Sequence, residues 1–353
     1  MATDELLMRR CFQLALLGSG STAPNPLVGA VLAHGDRIIG EGYHQLWGQA
    51  HAEVNCLSAV SKSDQTLVAK SRLFVSLEPC AHQGKTPPCT ELIIRHQIPE
   101  VIIGCLDPFT AVNGKGREAL QAAGVKVHLS TLVREAQELN KRFFTFHLHQ
   151  RPYIILKWAE SADGFLSRKA DERMKISSEL SDRTVHHWRQ EEAAILIGTN
   201  TARIDNPQLT NRLWPGKSPV RLVLDRNATL PANLNLFKDH PTIVFTTQPG
   251  RTEGSCTWIE INVKNFDLPA VVRKCHEMQL QSILVEGGQQ LLSSFLQQNL
   301  WDEIRVITNT QLTLHKGYPS PLLPAALQAY STEQIGPDMI RYFRNLSPVS
   351  YGS

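Results

Sequence analysis

The chain has 353 residues, enough for two domains of ordinary size that each bury a hydrophobic core. Hydrophobic residues make up 42% and charged residues 20%, a balance that argues against a disordered or fibrous protein. The formal net charge of +3 comes without a clustered basic run, so we expect no nucleic-acid partner. No apolar run reaches the roughly 18 residues that a membrane span needs, so we expect no membrane partner.

The first part of the chain predicts strands that alternate with helices. The predicted strands are residues 28–32, 38–43, 73–77, 101–106 and 125–129. Helices are predicted from Asp4 onwards and over residues 51–60, 87–96, 118–123 and 132–146. This alternation is typical of an α/β sheet.

A second series of strands begins after Pro152, which breaks the preceding helical pattern. The predicted strands of this series are residues 153–156, 193–197, 220–224, 242–245, 282–286 and 303–307, and a helix is predicted over 289–296. We therefore expect two α/β domains, residues 1–147 and residues 148–353.

The cysteine content predicts a reducing compartment. The chain has seven cysteines, an odd number for a long chain, which does not suit a disulfide framework. The first five residues, Met1-Ala-Thr-Asp-Glu5, include two acidic side chains and lack the anatomy of a signal peptide. We therefore expect a cytoplasmic protein.

The sharpest motif in the sequence combines His51-Ala-Glu53, Pro79-Cys80 and Cys89. One imidazole and two thiolates suit Zn²⁺, and three protein ligands leave a fourth position for water, as in catalytic sites. Glu53 lies two residues from the first ligand and can carry protons without binding the metal. This pattern resembles the signature of zinc deaminases that act on nucleobases. The alternatives are a chance pattern and a structural zinc site, in which His82 would supply the fourth ligand.

The spacing of the two cysteines resembles one subclass of these deaminases. Eight residues separate Cys80 from Cys89, as in the pyrimidine deaminases of riboflavin biosynthesis, whereas nucleic-acid deaminases commonly have Cys-x-x-Cys. The segment Asn25-Pro-Leu-Val-Gly-Ala30 looks like the substrate-side element of that family. An amide both donates and accepts hydrogen bonds, so Asn25 suits a pyrimidine edge, although it also suits a turn before Pro26. Lys85 and Thr86 are candidates for a ribose phosphate, or belong to a solvated loop.

A second constellation lies in the C-terminal half. Leu284-Val-Glu-Gly-Gly288 joins a predicted strand to a predicted helix, and glycines there let main-chain N–H groups approach a phosphate. Such turns are common, so this signal is weak alone. Together with Lys157-Trp-Ala-Glu-Ser-Ala-Asp-Gly164, Trp188–Thr201 and Asp205–Arg212, it resembles the reductase domain of the bifunctional riboflavin-biosynthesis deaminase/reductases.

The resemblance implies a cytidine-deaminase-like α/β/α domain followed by a dihydrofolate-reductase-like α/β domain. It implies zinc held by His51, Cys80 and Cys89, with Glu53 as general base and then general acid. It implies NADPH as the second cofactor and substrate contacts in the reductase domain. The expected substrate residues are Asn25, Arg189, Leu209, Arg212 and Glu286, and Arg173 is added on charge grounds. The expected cofactor residues are Ala159, Thr201, Asp205, Gly288, Gln289, Gln290, Leu291, Leu292, Ser293 and Ser294, and Arg226 is added for the 2′-phosphate.

Each reductase assignment has a simpler structural alternative. The arginines also suit surface salt bridges, and Asp205 suits a turn or a helix cap. The chain has Arg173-Met-Lys175 where many family members place an aromatic cofactor contact, so that role is not carried over to Lys175. The family implies a phosphorylated pyrimidine substrate and a homo-oligomer formed through the reductase domain.

Two other classes of protein make different predictions. A tRNA or nucleoside deaminase predicts a compact Cys-x-x-Cys motif and a basic second half, which this sequence lacks. A zinc-folded scaffold without activity predicts four metal ligands and no affinity for NADPH.

Overall fold

The computed structural model describes residues 2–81, 87–109, 113–262, 264 and 266–345. The chain divides into two compact units, one that extends to His149 and one that starts at Gln150. Within the described part of the chain, no helix has both the length and the hydropathy that a membrane crossing requires.

The first unit contains a five-stranded sheet with helices on both faces. Its strands are β1 (Gly29–His34), β2 (Arg37–Tyr43), β3 (Arg72–Val75), β4 (Glu100–Ile103) and β5 (Lys126–Leu129). Its helices are α1 (Ala2–Leu16), α2 (Ala52–Ser58), α3 (Cys89–Arg95), α4 (Lys115–Ala122), α5 (Val133–Leu139) and α6 (Lys141–His149), and a 3₁₀ helix covers Gln65–Lys70. The strand order is β2-β1-β3-β4-β5, with β1 antiparallel to its neighbours and β3, β4 and β5 parallel.

Alternating side chains of the strands form two cores in this unit. Leu73 and Val75 pack with residues of α2 and α3, whereas Phe74 between them packs with residues of α1 and α6. Successive side chains of a strand point to opposite faces, so each strand contributes to both cores. The sheet is therefore the middle of three layers, and the predicted α/β/α class is confirmed.

The single helix predicted over residues 132–146 is wrong in one respect, because the structure breaks it at Asn140. The Asn140 side chain donates a hydrogen bond to the Leu27 carbonyl at 2.9 Å and accepts one from the Leu27 N–H at 2.8 Å. This tertiary contact holds Asn140 between α5 and α6. The periodicity of apolar residues carries no sign of it.

The second unit is built on a ten-stranded sheet. The described part of this unit has twelve strands, ten in the large sheet and two in a separate pair. They are β6 (Tyr153–Ser161), β7 (Phe165–Ser167), β8 (Ala194–Gly198), β9 (Val220–Leu224), β10 (Thr242–Thr246), β11 (Arg251–Glu253), β12 (Cys256–Glu260), β13 (Ser282–Gly287), β14 (Glu303–Asn309), β15 (Tyr318–Pro319), β16 (Ala329–Ile335) and β17 (Asp338–Arg344). Its helices are α7 (Glu179–Glu191), α8 (Thr199–Asp205), α9 (Leu268–Glu277) and α10 (Gln289–Gln297), and a 3₁₀ helix covers Asn235–Phe237. The strand order is β11-β12-β10-β9-β8-β13-β6-β14-β17-β16, and β7 pairs separately with β15.

The centre of the large sheet is parallel from β12 to β14. Parallel strands bring their carboxyl ends to one edge, where ligands of open α/β sheets bind. The segments that follow β8, β9 and β13 begin at this edge. Buried residues on the two faces, such as Leu196 and Ile197, belong to different cores, as in the first unit.

All six strands predicted for the second half are confirmed, but the hairpin of β16 and β17 was missed. Six of the seven residues of β16 are exposed, so the strand lacks the apolar alternation by which a strand is detected.

Candidate active sites

His51, Cys80 and Cys89 meet in the first unit although they are distant in sequence. His51 is the N-cap residue of α2, and Cys89 is the first residue of α3. Cys80 lies in the irregular segment after β3, and its carbonyl accepts hydrogen bonds from the Thr90 N–H at 3.2 Å and the Thr90 hydroxyl at 3.3 Å. The three candidate ligand atoms lie within 4.8 Å of one another.

The spacing of these atoms fits a zinc ion. The distance from His51 Nδ1 is 3.6 Å to Cys80 Sγ and 3.3 Å to Cys89 Sγ. Zinc bonds of normal length to nitrogen and sulfur, at a tetrahedral angle, separate the two ligand atoms by about 3.6 Å. The donor set of one imidazole and two thiols is also the set that zinc prefers. Among the described residues this is the one group of metal-ligating side chains, and it holds three ligands.

The local electrostatics favour a thiolate at Cys80, whereas the hydrogen bond to Cys80 and burial raise the pKa of the Cys89 thiol. Hydrogen bonds from Cys89 and His51 hold the pKa of the Cys80 thiol well below its ordinary value. The N–H of Cys89 donates to Cys80 Sγ at 3.3 Å. The start of α3 is also the positive end of a helix dipole, which favours an anionic sulfur.

Glu53 lies in the first turn of α2 and is buried, with 3% of its surface exposed. Burial raises the pKa of this carboxyl group. The carboxylate predicted two residues from His51 is thus enclosed beside the three candidate ligands, all of which act on its ionisation.

Asn25 is connected to this site through His44, which the sequence analysis missed. His44 Nδ1 lies 3.0 Å from the Ala50 carbonyl, which can only accept, so this nitrogen carries the proton. The other ring nitrogen, Nε2, accepts from the Asn25 amide at 3.2 Å. The His44 ring lies edge-on to His51, with 5.5 Å between centroids. The amide oxygen of Asn25 is thus the atom that can accept a hydrogen bond from a ligand.

Three residues named from the sequence, His82, Lys85 and Thr86, lie outside the described residues.

In the second unit, Arg189 and Glu286 form a buried ion pair. Arg189 donates from Nε and Nη2 to the two carboxylate oxygens of Glu286, both at 2.8 Å. The third member is Lys157, whose Nζ lies 3.8 Å from Glu286. The side chains of Lys157 and Glu286 are 12% and 8% exposed. Lys157, in the middle of β6, was quoted as part of a motif but received no role, because one cation in an apolar strand gives no sequence signal of its partner.

These charges shift one another's ionisation. Burial would raise the pKa of Glu286, but Arg189 and Lys157 outweigh it and lower the pKa to about 2. Burial lowers the pKa of Lys157, and Glu286 opposes this effect. The cluster thus holds a permanent carboxylate and an ammonium whose proton is held less tightly than usual.

Arg212 and Leu209 belong to a loop beside this cluster. Arg212 donates to the Thr210 hydroxyl at 2.8 Å, and Arg189 donates to the Thr210 carbonyl at 3.3 Å. Leu209 is buried and has a φ of 55°, a left-handed conformation that is costly for a leucine. The structure therefore gathers Arg189, Leu209, Arg212 and Glu286. Glu286 occupies the bidentate Nε–Nη2 face of Arg189, so this face is used within the protein.

A fully buried arginine, Arg221, also holds the loop that contains Leu209 and Arg212. Arg221 on β9 donates to the carbonyls of Gln208 at 3.3 Å, Asn235 at 3.2 Å and Lys238 at 2.7 Å. A buried charge is costly unless it is hydrogen-bonded, and here main-chain carbonyls supply the partners.

A cavity of about 690 Å³ lies at the carboxyl ends of the parallel strands. Its walls include seven of the predicted cofactor residues: Thr201, Asp205, Arg226, Gly288, Gln289, Gln290 and Leu291. A Cβ at Gly288 would lie 2.9 Å from Thr201 Oγ1, so α10 approaches the Thr201 side chain of α8 closely at this glycine. The Arg226 guanidinium lies 5.7 Å from the centroid of Phe266, which also lines the cavity.

The structure shortens the predicted cofactor segment of α10. Leu292 is 1% exposed and packs in the hydrophobic core, and its N–H is bonded to the Gly288 carbonyl within the helix. Ser294 bonds back to the Gln290 carbonyl at 2.8 Å. The cavity is lined by residues 288–291, and Leu292, Ser293 and Ser294 are not among its lining residues.

Ala159 and Arg173 lie apart from the places expected for them, and Lys175, which was given no role, forms an ion pair. Ala159 packs against a core and is not among the lining residues of the cavity. Arg173 is exposed, and its charge acts on Asp205 rather than on the Arg189–Glu286 cluster. Lys175 is paired with Asp182 at 2.9 Å.

Comparison with known proteins matches both units. Residues 1–105 match the family model of the cytidine and deoxycytidylate deaminase zinc-binding region, and residues 152–340 match that of the RibD C-terminal domain. The riboflavin biosynthesis protein RibD of Aquifex aeolicus is 38% identical over 86% of both chains, and that of Bacillus amyloliquefaciens is 36% identical over 95% of both chains. The crystal structure of a diaminohydroxyphosphoribosylaminopyrimidine deaminase/5-amino-6-(5-phosphoribosylamino)uracil reductase from Thermotoga maritima matches with a TM-score of 0.88 and 33% identity, over 97% of this chain and 99% of that one.

The folds and the two sites define a bifunctional enzyme in which a zinc-binding deaminase domain is joined to a reductase domain. The chain belongs to the RibD family of riboflavin biosynthesis. Its expected classes of activity, hydrolase and oxidoreductase, are confirmed.

Proposed function

We propose that the chain catalyses two successive reactions on one phosphorylated pyrimidine. The first is deamination of 2,5-diamino-6-(5-phosphoribosylamino)pyrimidin-4(3H)-one by residues 1–147. The second is reduction of the ribosyl group of 5-amino-6-(5-phosphoribosylamino)uracil to ribityl by residues 148–353, with NADPH. The observation that carries the proposal is the convergence of His51, Cys80 and Cys89 around one point, beside the buried Glu53.

In the first reaction, His51, Cys80 and Cys89 would hold the zinc ion. When bound by three protein ligands, zinc acts as a Lewis acid and lowers the pKa of a water molecule towards ~7. Glu53 takes one proton from the attacking water and transfers one to the leaving amino group. Water adds to the ring carbon, the carbon–nitrogen bond breaks, and ammonia leaves.

Asn25 binds the pyrimidine edge in this proposal. His44 fixes the amide so that its nitrogen is used within the protein and its oxygen accepts from a ring N–H or amino group. This orientation distinguishes an amino-bearing ring from one that presents a carbonyl at the same place.

In the second unit, Arg212 is the phosphate ligand and Arg189 is a structural partner of Glu286. Arg212 is exposed and uses one of its nitrogens on Thr210, so the rest of its guanidinium remains for a phosphate. Glu286, held ionised by its two cations, accepts from hydroxyl or ring N–H donors.

Lys157 supplies the proton of the reduction. When bound, NADPH supplies the hydride that adds to the ribose C1′. Opening of the sugar ring also requires one proton at the ring oxygen as its bond to C1′ breaks. Lys157 is the buried ammonium of the cluster, and burial lowers its pKa towards the range in which a lysine gives up its proton readily.

The cofactor residues we propose line the cavity at the strand ends. The start of α10 presents main-chain N–H groups and the positive end of a helix dipole to a pyrophosphate. Thr201 and Asp205 come from α8, and Arg226 follows β9 at the same edge. Arg226 is exposed and is the residue we assign to the 2′-phosphate of NADPH.

A homo-oligomer formed through the second unit and a cytoplasmic location complete the proposal. Strand β16 is an edge strand with exposed residues, and unpaired edges are sites of association. All seven cysteines are free, which suits a reducing compartment. Light scattering during size-exclusion chromatography tests the oligomer.

One assay tests both reactions. The diaminopyrimidine phosphate is supplied with and without NADPH, and ammonia and NADPH absorbance are followed separately. We expect ammonia release in both samples and NADPH oxidation only after deamination has begun. Absence of ammonia would contradict the first assignment, and ammonia without NADPH oxidation would contradict the second.

A further inference from the structure

Glu78 is a buried carboxylate that the proposed mechanism does not use. It lies two residues before the ligand Cys80 and is 4% exposed. Its carboxylate accepts hydrogen bonds from three main-chain N–H groups, those of Asp107 at 3.2 Å, Gly114 at 3.0 Å and Arg117 at 3.0 Å. Gly114 is the N-cap residue of α4, so this side chain caps a helix that is remote in sequence.

A second contact joins the same helix to the same segment. A Cβ at Gly116, in the first turn of α4, would lie 2.0 Å from the Pro79 carbonyl oxygen. Real Cβ atoms do not approach an oxygen so closely, so any side chain here would push α4 and Pro79 apart. The start of α4 is therefore hydrogen-bonded to Glu78 and packed directly against Pro79, the two residues that precede Cys80.

Cys80 needs such support more than the other two ligands do. His51 and Cys89 stand at helix starts, which fix their main chains, whereas Cys80 belongs to neither a helix nor a strand. On its C-terminal side, Cys80 is held by Thr90 through its carbonyl. On its N-terminal side, Cys80 is held through the contacts that Glu78 and Pro79 make with the start of α4.

We infer that Glu78 and Gly116 are positioning residues that hold the Cys80 thiol at the distance zinc requires. Neither touches the metal site directly, and both act through the main chain of residues 78–80. The inference rests on the proposed zinc site, but it does not depend on which substrate is deaminated.

The test is the zinc affinity of E78Q and G116A, measured by competition with a chromophoric chelator. E78Q keeps the shape of the side chain but removes the charge that caps α4. We expect both variants to bind zinc about tenfold or more weakly, the lower end of the range for residues that orient metal ligands. The matched control is E118Q, the same change at an exposed position of α4, which should leave the affinity unchanged.

Thermal unfolding of the metal-free and zinc-loaded forms separates positioning from general stability. Ligand binding stabilises a fold by an amount that grows with the logarithm of its affinity, so a positioning role predicts that the gain in stability on adding zinc shrinks in both variants. Equal losses of stability with and without zinc, at unchanged affinity, would overturn the inference. Because the two substitutions lie in different elements, a folding failure of one still leaves the other to decide. Normal zinc binding without deamination of the proposed substrate would instead contradict the proposed function.

Discussion

Replacement of Glu286 by glutamine isolates the charge of the buried cluster. The change keeps the size of the side chain and leaves the cations of Arg189 and Lys157 without an anion, at 2.8 Å and 3.8 Å. The pKa of Glu286 is about 2, compared with an ordinary value of 4.5. At about 1.4 kcal/mol per pKa unit, the carboxylate contributes about 3 kcal/mol at neutral pH. This agrees with the roughly 3–5 kcal/mol lost when one partner of a buried pair is removed.

Denaturant unfolding followed by tryptophan fluorescence measures this loss of stability in the second unit, which contains Glu286. The tryptophans of the second unit are Trp158, Trp188, Trp214, Trp258 and Trp301. We expect E286Q to be less stable than the wild-type chain by about 3 kcal/mol at pH 7. The control is E277Q, which removes an exposed pair with Lys274 and should move the midpoint little.

The stability that ionised Glu286 contributes should decrease as the pH falls. A carboxylate with a depressed pKa contributes its full stability above the unfolded value, near 4.5, and loses it as the pH falls through the folded value, near 2. The difference between wild type and E286Q should therefore be constant from pH 7 to about 5. It should then shrink by about 1.4 kcal/mol for each pH unit. Equal midpoints of E286Q and E277Q at pH 7, or a difference that grows in acid, would refute the reasoning.

Three other substitutions test single roles. E53Q should lower deamination by about 10² to 10⁴-fold with zinc content unchanged by elemental analysis; full turnover would remove Glu53 from catalysis. K157M should lower NADPH oxidation by a similar factor and spare ammonia release, and an equal loss of both reactions would contradict the assignment. R226A should weaken NADPH about tenfold or more in a fluorescence titration and leave NADH unchanged; equal effects on both cofactors would exclude a 2′-phosphate contact.

The candidate zinc site was predictable because its residues belong to short motifs that can be recognised in the sequence. His51 and Glu53 are two residues apart, and both cysteines follow prolines, so local sequence indicates the candidate ligands and the proposed proton carrier. What the sequence lacks is the support around them. His44 orients Asn25, and Glu78 caps a helix some 36 residues away, through contacts that only the folded chain creates.

The reductase site was predictable only in part for the same reason. Arg189 and Glu286 were chosen by resemblance, but their ion pair joins residues 97 positions apart. The pairing bears on the proposed chemistry, since Arg189 is paired with Glu286 and Arg212 is the arginine proposed for the phosphate. Likewise, α10 was recognised by its glycines, but the limit of its cavity-facing part at Leu291 follows from the burial of Leu292 in the core.

The surroundings of the buried ionisable groups separate their roles. Glu53 is enclosed and its pKa is raised by burial, which suits a carboxyl group that gains and loses a proton. Glu286 is equally enclosed, but two cations hold its pKa near 2, so it stays charged throughout the physiological range. It therefore does not suit the acid of the proposed reduction, a role that suits a group whose pKa is shifted towards neutrality. In that cluster Lys157 is such a group, because burial lowers its pKa more than Glu286 raises it.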